Sequence, residues 1–116
     1  MPDLPAILPS VRVDGETLIA SVRGEIDLHN SGQLRTALLG AVSKYHPKKI
    51  VLNLAAVPYM DSSAVAVLVE ALQKLRKTGG QVVLTNLQPR VKGLLEIARL
   101  NTVFGLAATE EDALKK

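Results

Sequence analysis

An α/β domain with a mixed central sheet is the fold that this sequence predicts, on three observations. A strand-length apolar run at residues 50–54 is β-branched enough to be covered on both faces. On either side of it lie stretches whose apolar residues recur at helical spacing. Near the start, Asp14-Gly15 between two alternating segments is a two-residue hairpin signal. Helical crossovers imply a parallel core, and the opening hairpin makes the sheet mixed. The 116 residues fit one domain, spanning 1–116.

Taken in order, residues 1–9 read as a loose lead-in. Val11 and Val13 alternate with polar neighbours, and Leu18, Ala20 and Val22 continue the alternation after the turn. The second strand ends in Gly24-Glu25-Ile26-Asp27, a turn rich in carboxylates. Asn30 is placed to cap the first helix, with Gln33 completing a capping box. Leu34, Ala37, Leu38, Ala41, Val42 and Tyr45 supply its apolar stripe, and Pro47 stops it. The buried strand at residues 50–54 follows, then a short loop and a helix opened by Asp61, Ser62 and Ser63, all residue types that cap helices. That helix should run to Thr78, with Gly79 taking a left-handed stop. A strand at residues 81–86 comes next. Pro89 suits the first position of a third helix carrying Val91, Leu94, Leu95 and Ala98. Val103-Phe104 is the candidate for a short edge strand. Thr109 caps a fourth helix with Glu110, Glu111 and Asp112 in its first turn.

On a helical wheel the residues after Asp61 separate into two faces. Ala64, Val65, Leu68, Ala71, Leu72 and Leu75 turn toward the sheet. Ser62, Ser63, Ala66, Glu70, Gln73, Lys74 and Lys77 turn toward solvent. The two hydroxyls thus share the outer side of the first turn, and small Ala66 leaves room for close approach one turn on. By itself the Asp61–Ser63 cluster is a helix cap; the pattern of the whole chain raises it to a candidate site.

Composition narrows the function classes. There is no cysteine, which excludes disulfides and thiolate-ligated metal and fits a reducing, cytoplasmic setting. No apolar run approaches the roughly 20 residues that span a bilayer, so membrane insertion is not expected. The net charge is +3, but the 14 basic residues are scattered. With one Phe, two Tyr and no Trp, stacking platforms for bases are nearly absent, so no nucleic-acid partner is expected. His29 and His46 stand outside metal-ligand spacing, and Ser62 lies in no Gly-x-Ser-x-Gly elbow. No Gly-rich phosphate loop with lysine occurs. Glu25, Asp27 and Asp61 gather at one end of the sheet and read as solvated loop acids. No enzyme activity, metal or cofactor is expected.

Three motifs resemble the STAS domain of bacterial anti-sigma-factor antagonists. They are Gly24-Glu25-Ile26-Asp27; the run from Ile50 to Leu54 leading into Met60-Asp61-Ser62-Ser63; and the late segment from Gly79-Gly80 through Pro89 to Phe104. The similarity covers roughly residues 10–114, and it implies a single STAS-like domain with about four helices. It also implies a switch: an anti-sigma-factor serine kinase binds the unphosphorylated chain and inactivates it by phosphorylating Ser62, and a serine phosphatase reverses this. The expected partner surface comprises Asp27 and Asp61, which the resemblance implies, with Glu25 at the same end of the sheet and Ser63 and small Ala66 on the outer face of the helix. Two positions depart from the family pattern. Ala64 stands where glycine is usual, implying an ordinary helical backbone, and Asn53 stands where an aspartate is common, removing a charge. A STAS accessory subunit of a lipid or solute transporter is the alternative function, and a nucleotide-binding domain the third.

Overall fold

The computed structural model describes residues 6–116, so the first five residues of the expected lead-in lie outside the described residues. The elements follow the expected order: β1 (Ser10–Asp14), β2 (Thr17–Arg23), α1 (Ser31–Tyr45), β3 (Lys49–Ala56), α2 (Ser62–Arg76), β4 (Gln81–Thr85), α3 (Pro89–Ile97), β5 (Gly105–Ala107) and α4 (Glu110–Leu114). The strands form one five-stranded sheet in the order β1-β2-β3-β4-β5. β1 and β2 pair antiparallel; β2 with β3, β3 with β4 and β4 with β5 pair parallel.

Because the parallel strands advance across the sheet in one direction, crossovers of one hand must leave α1, α2 and α3 on the same face. There they enclose the main core. Leu18, Ala20, Val22, Ile50, Leu52, Leu54, Val82 and Leu84 point down from the strands onto Leu34 and Leu38 of α1, Leu68 and Leu72 of α2, and Val91 and Leu95 of α3. The alternate strand residues Ile19, Val51 and Val83 point the other way and are closed off with Ala113 of α4. Both faces of the parallel strands are therefore buried, which is why they read as nearly continuous apolar runs.

Four local expectations need correction. The lead-in is not loose where it is described: Ile7 and Leu8 are buried in the main core, and the Ile7 carbonyl accepts from Arg23 N–H at 2.9 Å. The hairpin turn sits one residue later than expected, on Gly15-Glu16, since Asp14 pairs with Thr17. Gly15 alone takes positive φ there (61°), the pattern of a turn with glycine at its first central position. The last strand is Gly105–Ala107 rather than Val103-Phe104. Phe104 is buried in the main core from a turn, and a Cβ on Gly105 would come within 3.0 Å of Val83, so a glycine lets β5 approach β4.

The fourth correction concerns the start of α1. Asn30 holds the N-cap position, but its side chain makes no capping bond and no capping box forms with Gln33. It reaches back to the preceding turn, as described below. At the other end His46 adopts the left-handed conformation (φ 47°) before Pro47, and its N–H reaches the Val42 carbonyl. α2 ends near its expected limit, with Gly79 left-handed (φ 79°) and Gly80 N–H bonded to the Leu75 carbonyl at 2.8 Å. Pro89 opens α3 and the Thr109 hydroxyl caps α4, as the sequence predicts.

Asn53 has a structural task. Its amide donates to Glu110 Oε2 at 2.7 Å and its Oδ1 accepts from Ala55 N–H at 2.9 Å. Glu110 also pairs with Arg12 at 2.7 Å, and Lys49 Nζ donates to the Ala113 carbonyl at 2.6 Å. An aspartate at position 53 could not donate to Glu110, so the amide is what helps to hold α4 across the sheet.

Candidate functional site

At the C-terminal ends of β2 and β3 the two chains continue side by side beyond the sheet. Gly24 N–H donates to the Ala56 carbonyl at 2.9 Å, and Ile26 forms an isolated parallel bridge with Met60. Ile26 N–H reaches the Tyr59 carbonyl (3.1 Å) and Asp61 N–H the Ile26 carbonyl (3.0 Å). Ile26 and Met60 are buried, so an apolar pin fastens the carboxylate turn to the loop before α2. Tyr59 is covered from the far side by Arg90 of α3, whose guanidinium lies 4.5 Å from the ring centroid.

The turn is fixed from within by Asn30. Its Oδ1 accepts from Asp27 N–H and its Nδ2 donates to the Glu25 carbonyl, each at 2.9 Å. Asp27 Oδ1 in turn accepts from His29 N–H at 2.8 Å, a local bond typical of aspartate in turns. These bonds explain the missing cap on α1, since one amide cannot serve the turn and the helix together. Glu25 stays exposed and Asp27 half-buried, with Asp27 Oδ1 also 3.3 Å from His29 Nδ1. Among the described residues no group of three or more His, Cys, Asp or Glu side chains is placed to hold a metal.

Asp61 is the N-cap of α2, with extended backbone (φ −102°, ψ −175°). Its Oδ1 accepts from Ser63 N–H at 2.9 Å, from Ala64 N–H at 3.4 Å and from the Ser63 hydroxyl at 2.5 Å. The Ser63 hydroxyl is the largest influence holding this carboxyl below its ordinary pKa. Burial opposes it, and the N–H groups of Ser63, Ala64 and Leu28 assist it. Ser62, the first helical residue, is exposed, and among the described residues no hydrogen bond engages its hydroxyl. The two serines, equivalent on a helical wheel, thus differ in the folded chain: one is clamped and the other free.

The inner face of α2 is as expected, with Ala64, Val65, Leu68, Ala71, Leu72 and Leu75 all buried; Val67, absent from that stripe, is buried as well. Ala64 carries an ordinary helical backbone. On the outer face Ala66 is exposed one turn beyond Ser62. Glu70, one turn further, is half-buried in a bidentate pair with Arg35 of α1, at 2.8 and 2.7 Å. Sequence patterns gave no sign of that pair or of the Tyr59–Arg90 stack, because both join residues distant along the chain. Leu28 was also missed. It is 80% exposed on the carboxylate turn, and its only signal is a lone large apolar residue between Asp27 and His29.

The five-stranded mixed sheet, with a helix opened by Ser62 after β3, characterises one class of α/β domain. A family model described as the STAS domain matches residues 9–113, and the chain belongs to that family. An anti-sigma-B factor antagonist of Listeria monocytogenes is 35% identical over 92 residues, 77% of each chain. The structure of the anti-sigma factor antagonist SpoIIAA in its unphosphorylated form superposes with a TM-score of 0.78 at 27% identity, over 90% of this chain and 91% of that one. The Bacillus cell fate determinant SpoIIAA in its phosphorylated form gives 0.71 at 26% identity, over 91% and 96%. Relatives of this kind are regulators, and the chain is not an enzyme. Among the described residues no helix is long and apolar enough to cross a membrane.

Proposed function

We propose that this protein is a cytoplasmic anti-sigma-factor antagonist that works as a phosphorylatable switch. Unphosphorylated, it binds an anti-sigma-factor serine kinase through the surface formed by Glu25, Asp27, Asp61, Ser63 and Ala66. The kinase transfers the γ-phosphoryl group of ATP to the Ser62 oxygen. The bond to ADP breaks, the hydroxyl proton passes to a base on the kinase, and the phosphorylated chain is released. A serine phosphatase restores the binding form.

The observation that carries this proposal is the contrast between the serines. The Ser63 hydroxyl is engaged by Asp61 at 2.5 Å, whereas Ser62 is exposed beside it on a rigid helix start. A kinase needs a hydroxyl that can enter its active site without first breaking a hydrogen bond, and only Ser62 meets that need within the cap. A small residue at Ala66 and the fixed carboxylate turn leave the surrounding surface open to a partner.

The switch acts on binding because the phosphate has little to do in the free domain. The Ser63 and Ala64 N–H groups at the start of α2 are already taken by Asp61, so a phosphate on Ser62 stays largely in water. In a complex it adds roughly −1.5 to −2 charge to a surface that must be desolvated. Leaving part of that charge unpaired costs several kcal/mol, and about 2.8 kcal/mol is already a hundredfold in affinity. The test is incubation with each anti-sigma-factor kinase encoded in the same genome plus ATP, followed by phosphosite mapping. Phosphate on Ser62 in the wild type, none in Ser62→Ala and retained phosphorylation in Ser63→Ala are the expected results. Phosphate on Ser63, or on neither serine with every kinase, would refute the assignment.

A further inference from the structure

Two large apolar side chains stand almost wholly in solvent, Leu28 at 80% and Ile97 at 84% exposure. Singly exposed apolar residues are common and need no explanation by themselves. Leu28 differs from Ile97 in what surrounds it. It sits on the turn that lies against the start of α2, and its N–H assists the Asp61 carboxylate next to Ser62. It is also held in place: Asn30 bonds Asp27 N–H and the Glu25 carbonyl, His29 N–H bonds Asp27, and Ile26 is pinned to Met60. These bonds fix the backbone of the turn that carries Leu28, so little backbone ordering remains to be done on association. The side chains bordering it on the turn, Glu25 and Asp27, are carboxylates on a chain whose net charge is +3.

The turn also leads into an open surface. Gly32, in the first turn of α1, leaves open space where a side chain would stand, and a shallow depression of about 460 Å³ is lined there by Gly32, Gln33, Thr36 and Ala37. An exposed leucine on a fixed backbone, an acidic neighbour at Glu25 and open space at Gly32 four residues further on mark this turn as a docking face.

We infer that Leu28 is the residue that sets which anti-sigma-factor kinase this protein accepts, by seating in an apolar pocket on the kinase whose rim carries Lys or Arg. The inference rests on the antagonist function proposed above. A kinase with a polar surface at that point would have to bury its own unpaired polar groups under the leucine and would be rejected, while an apolar pocket would be filled. The cationic rim follows from Glu25, whose exposed carboxylate has no ion-pair partner among the described residues, whereas Asp27 already accepts from His29 N–H and lies 3.3 Å from His29 Nδ1.

The experiment uses the full chain and the kinases encoded in its own genome, with affinities measured by calorimetry for the tightest-binding and the second-tightest kinase. Leu28→Ala should weaken the tightest complex at least tenfold, shrink the affinity ratio between the two kinases and leave the thermal midpoint unchanged. Ile97→Ala, equally exposed but on α3, should stay within twofold of the wild type for both. An unchanged affinity in Leu28→Ala, an equal loss toward both kinases or an equal loss in Ile97→Ala would overturn the inference while leaving the antagonist function standing. Failure of the wild type to bind any of these kinases would remove the antagonist function, and this inference with it.

Discussion

The two faces of α2 do opposite work within the same 15 residues. The inner face is a continuous apolar stripe, buried from Ala64 to Leu75 and packed on β3 and β4. The outer face carries a free hydroxyl at Ser62, a methyl group at Ala66 and a carboxylate at Glu70 that is committed to Arg35. Burial supplies most of a helix's stability in a folded domain, and little of it is available to exposed positions. The outer face can therefore change charge state without changing the fold. That separation is what the proposed phosphorylation switch needs, because the dephosphorylated chain can then bind again without refolding.

The largest effect that would test this division falls on the inner face. Leu68 is fully buried, and Leu68→Ala should cost about 2–5 kcal/mol, through lost apolar contact and the cavity left behind. Against a total stability of roughly 5–15 kcal/mol for a domain, that is a large share. Chemical denaturation should show a lower midpoint with an unchanged slope. A variant that unfolds like the parent would mean that α2 is not seated on this face.

On the outer face the next largest effect should appear in binding alone. Ser62→Asp should weaken the kinase complex by about 2.8 kcal/mol, a hundredfold, while unfolding at the parent's midpoint. Equal losses of stability and binding would collapse the distinction between the faces and leave Ser62 as part of the cap. Ala66→Arg is the milder probe of the same surface. A long cation on that exposed position should leave the midpoint unchanged and weaken kinase binding by about 1.4 kcal/mol or more, tenfold. Unchanged affinity in an Ala66→Arg titration would place the interface elsewhere.

The inner face was legible in the sequence because a 3.6-residue period is a property of neighbouring positions, and α2 carries nothing that competes with it. The element order was legible for the same reason. What escaped were choices made by single side chains with several possible partners. Asn30 could cap α1 or tie the carboxylate turn, and the apolar pin between Ile26 and Met60 decided for the turn. Ile7 and Leu8 were hidden between Pro5 and Pro9, since two adjacent apolar residues carry no periodicity. Phe104 was apolar enough for a strand, but it serves the core from a turn and the pairing falls to residues 105–107. The candidate site was legible as a place, the end of the sheet near Asp61. Helical geometry did not separate Ser62 from Ser63, which the family resemblance alone distinguished, because the physical difference depends on which hydroxyl the carboxylate captures after folding.

That capture gives the smallest and most specific prediction. The Ser63 hydroxyl is the largest influence lowering the Asp61 pKa in the folded chain. A carboxyl whose folded pKa is depressed adds stability above its unfolded pKa, and that contribution is lost as the pH falls through the folded value. Ser63→Ala removes the main cause of the depression, so the Asp61 carboxyl should titrate closer to the ordinary aspartate range, as NMR of its side-chain carbon can follow. The variant should be slightly less stable than the parent at neutral pH. The difference should shrink as the pH is taken below the ordinary carboxylate range, where Asp61 becomes protonated in both proteins. Phosphorylation of Ser62 should persist in the variant, since Asp61 still bonds the Ser63 and Ala64 N–H groups and the helix start keeps its cap. A stability difference that stays constant across that pH range would show that Ser63 acts through packing and not through the carboxylate. Loss of Ser62 phosphorylation at unchanged kinase affinity would show that the clamp, and not exposure alone, positions the acceptor hydroxyl.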